Sequence, residues 1–161
     1  MENKFKSSTS WRQKLEKNQE PKVVEIPATM ARRFGTGKML IPKPLDVDAL
    51  IRKVRKTRLV TQSEIRSRLA RDFNADVTCP ITTGIFLRIA AEAAEEDLRL
   101  GRKRITPYWR VIREDGSLNE KLPGGAEGQS RLLKQEGHKL EPGRGKKPPK
   151  VKDFEKSLVR L

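Results

Sequence analysis

Cysteine and histidine are almost absent from this chain of 161 residues, which contains one of each, Cys79 and His138. A single cysteine cannot form a disulfide within the chain. One cysteine and one histidine also fall short of the ligands that a protein zinc site needs. We therefore expect no metal and no cofactor. Cys79 itself is expected to be a small buried side chain at the start of a helix.

Long apolar runs are also missing. No stretch approaches the about 18 to 20 apolar residues of a transmembrane helix, and residues 1–10 lack the apolar segment of a signal peptide. No amphipathic helix with a large aromatic face is evident, so a membrane partner is not expected. The expected location is the cytoplasm, or the nucleoid within it.

Positive charge is what the chain has in excess. Lysine and arginine number 36 against 21 acidic residues, which gives a net charge of +15. Such a field favours association with a polyanion. The predicted partner is nucleic acid, DNA first and RNA as the alternative. The apolar fraction, 35%, is below the about 45–50% of typical globular chains, which predicts one folded domain with flexible ends.

We divide the chain into three parts. Residues 1–20 are expected to be a basic N-terminal extension, disordered at first and then a short helix that Ser10 caps, with Trp11 docked on the core. Residues 21–140 are expected to be the folded domain. Residues 141–161 begin with a tract of proline, glycine and lysine, which is typical of an extended linker. This last part is expected to be a flexible basic tail that adds nonspecific affinity for nucleic acid.

The sequence of the first half of the domain predicts short strands and short helices. Apolar, β-branched runs that stop at proline predict strands, and a glycine or an acidic residue at the right place predicts where a helix ends or begins. On these signals we expect strands over 23–26 and 39–41, a brief helix over Ala28–Phe34, and a helix over 49–55 capped by Asp46 or Asp48.

Two longer helices joined by a turn follow. Thr61 caps the first, and Ile65, Leu69 and Phe73 recur at spacings of four to form its buried stripe. The second is expected over 81–98, opened by Pro80. Its first residues are small, and free amides there favour phosphate. Basic side chains on the wet face of the first helix are explained equally well by phosphate contact or by simple solvation.

One ordered set of motifs resembles a known family. The run Pro107-Tyr108-Trp109-Arg110-Val111 is followed by the turn Asp115-Gly116 and then by Leu132-Leu133-Lys134-Gln135-Glu136-Gly137. This order is similar to the Pro-Cys-His-Arg-Val, Asp-Gly and Leu-Leu-x-x-Glu-Gly of alkylguanine DNA alkyltransferases. The segment from Leu59 to Ile65 is similar to the start of their helix-turn-helix. The resemblance implies a mainly helical α/β domain of winged-helix type that binds DNA.

The reactive residues of that family are replaced here. Tyr108 stands where the family has its acceptor cysteine, and Trp109 stands where it has its histidine base. A phenol with a pKa of about 10 is protonated at neutral pH, and an indole N–H cannot accept a proton. We therefore predict that the chain is not an enzyme. It resembles instead the alkyltransferase-like proteins. These bind alkylated guanines that are flipped out of the duplex and direct the lesion to excision repair.

Three further functional positions of that family can be matched to residues of this chain. Glu136 matches the outermost member of the family's cysteine-histidine-glutamate relay, and we expect it to hold a backbone amide or Arg110. Gln62 occupies the position of the family's tyrosine, which packs closely against the phosphate of the flipped nucleotide. Ile81 or Thr82 stands for the arginine finger, a place that an apolar wedge can also take.

The predicted function is non-enzymatic DNA binding, with sensing of altered or flipped bases in repair and an unidentified repair protein as a further partner. A general DNA- or RNA-associated basic scaffold is the alternative. Tyr108 and Trp109 either line a base pocket with Arg110 or plug the core, and the sequence favours neither. The predicted nucleic-acid contacts are Gln62, Arg66, Thr82, Thr83, Gly84, Tyr108, Trp109 and Arg110.

Overall fold

The structure is a computed structural model that describes residues 9–161. Residues 1–8, at the start of the predicted extension, lie outside the described residues. The described part is mixed α/β and mainly helical, as predicted. Its helices are α1 (Trp11–Leu15), α2 (Ala28–Phe34), α3 (Pro44–Ile51), α4 (Gln62–Asp72), α5 (Pro80–Arg99) and α6 (Gly125–Gln135). Its strands are β1 (Lys22–Glu25), β2 (Lys38–Ile41), β3 (Val60–Thr61), β4 (Val77–Thr78), β5 (Val111–Ile112), β6 (Leu140–Glu141) and β7 (Lys150–Val151).

Helix α5 lies at the centre of the main apolar core. Its buried face includes Leu87, Ala90 and Ala94, and α1 and α3 pack against it. Alanine has no side chain beyond Cβ, so these neighbours approach closely. Val47 and Ile51 of α3 are fully buried in the same cluster. Packing between helices therefore supplies most of the core.

Three small sheets join the helices. β1 pairs antiparallel with β2, which pairs in parallel with β4. β3 and β5 are parallel, with Val60 opposite Val111, while β6 and β7 are antiparallel. Because β3 leads into α4 and β5 follows Tyr108, their pairing brings the start of α4 beside the segment that contains Tyr108.

Helices α4 and α5 form the predicted pair. The Thr61 hydroxyl accepts a hydrogen bond from the Glu64 amide at 3.2 Å, which confirms the predicted cap. The Thr78 hydroxyl donates to the carbonyl of Arg66 at 2.7 Å and ties the turn between the helices to α4. Helix α5 spans Pro80–Arg99 and extends one residue beyond the predicted range at each end.

Helix α3 begins earlier than predicted. Pro44 occupies its first turn rather than closing the preceding strand, because proline needs no hydrogen-bond donor at that position. Asp46 accepts a hydrogen bond from the Lys43 amide at 3.1 Å, which satisfies one free donor of the helix start. Among the described residues, no helix is long and apolar enough to cross a membrane.

The N-terminal helix is packed on the core. Leu15 of α1 is fully buried, and Trp11 packs against the main cluster, as predicted. Ser10 caps α1, and the backbone amides of Trp11 and Arg12 also donate to the carboxylate of Glu96 at 3.0 and 3.1 Å. An acidic side chain of α5 thus stabilises the positive end of α1.

The C-terminal segment differs from the prediction of a flexible tail. β7 pairs with β6, and Val151 and Phe154 are buried in a second apolar cluster with Leu118 and Leu133. The tract of proline, glycine and lysine forms the loop of this hairpin. The prediction failed because the tract alone cannot bury a core, whereas the apolar residues after it pair with a surface distant in sequence.

Candidate nucleic-acid interface

Tyr108 is buried at the acceptor position of the motif. Its side chain is 1% exposed, and its hydroxyl donates to Oε1 of Glu95 at 2.5 Å. Burial, and after it the bond to Glu95, raises the pKa of Tyr108 far above its ordinary value. The phenol is therefore protonated throughout the physiological range and is not a nucleophile.

Trp109 and Arg110 are both held by Glu136. The indole Nε1 donates to Oε2 of Glu136 at 2.9 Å, and Nη2 of Arg110 donates to the same oxygen at 2.8 Å. The backbone amide of Thr57 donates to Oε1 at 3.2 Å. Burial alone would raise the pKa of Glu136, but the hydrogen bonds from Arg110, Trp109 and Thr57 outweigh it and hold that pKa below its ordinary value. Glu136 thus has both kinds of partner that the sequence suggested for it.

The three aromatic and basic residues do not share a pocket. Tyr108 and Trp109 pack edge to face, with ring centroids 5.4 Å apart. Tyr108 borders a cleft of about 230 Å³ that Glu92, Glu95 and Arg131 also line, but Trp109 and Arg110 do not line it. The cleft carries two carboxylates, Glu92 and Glu95, and two guanidinium groups, Arg99 and Arg131.

The main candidate interface lies instead along the first turns of α5. A groove of about 780 Å³ runs between α4, α5 and the turn after β5. We call it the recognition groove. It is lined by Arg33, Gln62, Arg66, Pro80, Ile81, Gly84, Ile85, Arg88, Arg113, Glu114, Asp115, Ser117, Asn119 and Lys121.

Positive charge dominates the recognition groove. Five basic residues line it against two acidic ones. Within the described part of the chain, none of the five forms an ion pair. Burial, and secondarily the proximity of Arg33, lowers the pKa of Arg66 despite the opposing charge of Glu114. A partly buried arginine that faces another arginine is suited to bind an anion.

Apolar side chains project from α5 into the same groove. Ile81 is 62% exposed and Ile85 is 53% exposed, although both belong to the central helix. Gly84 lies between them and leaves open space above the backbone. Isoleucine is one of the apolar side chains that some minor-groove proteins insert between base steps.

Some of the predicted contact residues on α4 and α5 line the recognition groove and others do not. Gln62, Arg66 and Gly84 line the recognition groove. Thr83 does not, which corrects its prediction as an exposed group: it is buried, and its hydroxyl donates to the carbonyl of Cys79 at 2.7 Å. The hydroxyl of Thr82 is likewise engaged, with the sulfur of Cys79 at 3.2 Å. Both hydroxyls bond back to the start of their own helix, as threonines in a first turn commonly do.

Glu114 occupies the free N-terminus of α4. Its Oε1 accepts a hydrogen bond from the Ser63 amide at 2.8 Å, and its Oε2 accepts one from the Ser63 hydroxyl. A carboxylate of the chain therefore already fills an anion site beside the groove.

Sequence reasoning missed several groove residues. Arg33, Arg88, Arg113, Lys121 and Ile85 line the groove although none was predicted as a contact. Arg88 and Ile85 could have been found, since they follow Ile81 at helical spacings of seven and four. Arg33 could not, because α2 reaches the groove only through the tertiary fold.

The fold is similar to that of a known DNA complex. The chain matches the crystal structure of S. pombe Atl1 in complex with damaged DNA containing O6-carboxymethylguanine, with a TM-score of 0.50 and 16% identity. The match covers 73% of this chain and 94% of that one. No family model matches the chain, and no curated protein does. At this identity the similarity shows the fold, which is the alkyltransferase-like fold that the motifs implied.

Proposed function

We propose that the chain is a non-enzymatic protein that binds duplex DNA through the recognition groove. The observation that carries this is the excess of basic residues around two exposed isoleucines, since none of these basic residues forms an ion pair within the described residues. Basic side chains that contact phosphates release the counterions of DNA, which favours binding. The similarity in fold to Atl1 supports the same partner.

The expected binding mode places the first turns of α5 against the duplex. Ile81 and Ile85 would contact base edges or open a base step. Arg66 and Arg88 would contact the flanking phosphates, which position the protein on the duplex. Glu92 and Glu95 follow on the helix and would repel the backbone, so the contact ends near the middle of α5.

No transfer chemistry belongs to this proposal. The buried phenol of Tyr108 donates to Glu95, and Trp109 offers only an N–H donor. The remaining soft nucleophile, Cys79, is buried at the start of α5. Movement of a labelled alkyl group from DNA onto the protein would contradict the proposal.

Sensing of a damaged base is a second candidate. The cleft of about 230 Å³ beside Tyr108 favours it, together with the damaged DNA in the Atl1 complex. The burial of Tyr108 argues for the first candidate, general DNA binding, because a ring that is 1% exposed offers no face for stacking. A repair-protein partner belongs to the second candidate only.

The groove is tested by removing two of its cations. Replacing Arg66 and Arg88 by glutamine should reduce the slope of log affinity against log salt by about 1.8, since each phosphate contact contributes about 0.9 on duplex DNA. Replacing Lys53 and Lys56 by glutamine is the matched control, because both are exposed and neither lines the groove. Equal slopes for the two double variants would refute the groove.

The two candidates are separated by a pair of duplexes. One contains O6-carboxymethylguanine and the other a normal guanine at the same position. General binding predicts equal affinities. Base sensing predicts a preference of at least about tenfold for the damaged duplex, the equivalent of about 1.4 kcal/mol.

A further inference from the structure

A second cationic cleft adjoins the recognition groove. It has a volume of about 510 Å³ and lies between the turn after β5 and the loop 142–149 that joins β6 to β7. Arg113, Asp115 and Ser117 line both the cleft and the groove. The two therefore adjoin the same turn.

We propose that the loop 142–149 is a second DNA-binding element, which contacts the phosphate backbone beyond the recognition groove and lengthens the footprint on the duplex. This inference rests on the proposed function. We call β6, β7 and their loop the C-terminal hairpin. It is a defined binding element of the folded chain, in place of the flexible tail that the composition suggested.

The charges of the cleft favour an anion. Arg113, Arg144, Lys147 and Lys150 line it against Asp115 and Glu141. Asp115 is already engaged, since its Oδ1 accepts a hydrogen bond from the Ser117 amide at 3.0 Å. Lys146, at the tip of the loop, is exposed. Within the described residues, no ion pair involves any of these basic side chains.

The backbone holds the C-terminal hairpin in place beside the turn. The amide of Leu118 donates to the carbonyl of Pro149 at 3.0 Å, and the amide of Val151 donates to the carbonyl of Gly116 at 2.9 Å. The loop itself is tight, because a Cβ added at Gly143 would lie 2.0 Å from the carbonyl oxygen of Lys147. Cations on such a preordered loop lose less entropy on binding than cations on a free tail.

Duplex DNA is the partner that fits this geometry. It carries one negative charge per about 1.7 Å of its axis, so a backbone that leaves the groove past Arg113 continues to present phosphates to the adjoining cleft. A duplex too short to extend beyond the recognition groove would not reach the loop. Dependence on duplex length therefore distinguishes an extended footprint from a general effect of net charge.

The test compares two triple variants on two duplexes. Arg144, Lys146 and Lys147 are replaced by glutamine in one variant, and the exposed residues Lys53, Arg55 and Lys56 in the other, so that both lose the same charge. Affinity is measured against salt on duplexes of one and two helical turns, about 10 and about 20 base pairs. Thermal melting verifies that both variants fold.

We expect the hairpin variant to lose about 2.7 from the salt slope on the longer duplex, which is three contacts at about 0.9 each. On the shorter duplex it should match the control variant. Equal behaviour of the two variants on both duplexes would overturn the inference, as would an equal loss on both lengths. Failure of the unmodified protein to bind either duplex would instead refute the proposed function, and the inference with it.

Discussion

At the scale of single residues, two carboxylates hold the side chains of Tyr108, Trp109 and Arg110 by hydrogen bonds. Tyr108 donates to Glu95, while Trp109 and Arg110 donate to Glu136. The sequence could show that position 108 carries a phenol and no thiol, because that depends only on which residue stands there. It could not predict the role of Glu95, since nothing in the motif marks a partner on the preceding helix.

Glu136 should be important for stability. Its side chain is 6% exposed and that of Arg110 is 13% exposed, so Glu136→Gln leaves a nearly buried guanidinium without its counter-charge. Breaking such a pair should lower the free energy of unfolding by about 3 kcal/mol. Urea unfolding at neutral pH measures this. The exposed Glu20→Gln is the control and should change little. An equal effect of the two variants would contradict the prediction.

The same carboxylate predicts a pH dependence. The pKa of Glu136 is lower in the folded state than its ordinary value of about 4.3. Its contribution to stability is therefore fully present above the ordinary value and is lost as the pH falls through the folded value. The Glu136→Gln variant should lose less stability than the unmodified protein over that acidic range.

At the scale of elements, α5 presents two different surfaces along one stripe. Ile81, Ile85 and Arg88 line the recognition groove, while Glu92 and Glu95 line the cleft beside Tyr108. These residues recur at spacings of three and four, as one helix face requires. The change of sign along the stripe, from Arg88 to Glu92, marks where the proposed DNA contact ends.

Local signals explain which elements the sequence predicted well. Helices α4 and α5 begin at Thr61 and Pro80, whose effects act within one turn. The predicted start of α3 was wrong because a proline such as Pro44 can either end a strand or open a helix. Only the packing of α3 on α5 decides between these two roles. The C-terminal hairpin was missed because its pairing with Gly116 and Leu118 spans more than thirty residues.

The contact between α4 and the turn after β5 leads to a prediction about the affinity for DNA. Glu114 accepts hydrogen bonds from the amide and the hydroxyl of Ser63 at the N-terminus of α4, a position that favours anions. Glu114→Gln removes one negative charge from the recognition groove, so DNA affinity should increase about fivefold, or about 1 kcal/mol. Titration of a fixed duplex at constant salt measures it. Glu120→Gln is the control, because Glu120 is exposed and does not line the groove. Unchanged affinity would mean that DNA does not approach Ser63.

At the scale of the whole molecule, both ends of the described chain belong to the fold. α1 packs on α5, and the C-terminal hairpin packs on the turn after β5. The low apolar fraction of 35% predicted flexible basic ends. Charge and order are compatible in the structure, because Arg144, Lys146 and Lys147 lie on the exposed loop of the hairpin while Val151 and Phe154 are buried.

Phe154 provides the test of that order. Its ring lies against Gly116, where an added Cβ would come within 2.4 Å of the ring, and its side chain is 8% exposed. Phe154→Ala should lower stability by about 3 kcal/mol, which shifts the melting temperature by about 6 to 12 °C in a chain of this size. Leu100→Ala is the matched control, because Leu100 is 70% exposed.

The outcome also decides how the C-terminal segment acts on DNA. A flexible tail predicts that Phe154→Ala changes neither melting nor binding, since the basic residues that precede it are untouched. A packed hairpin predicts the loss of stability, because the side chain then leaves a cavity against the turn. In that case a truncation would remove part of the core together with the cations. Substitution of the exposed cations alone is then the experiment that reports on their contact with DNA.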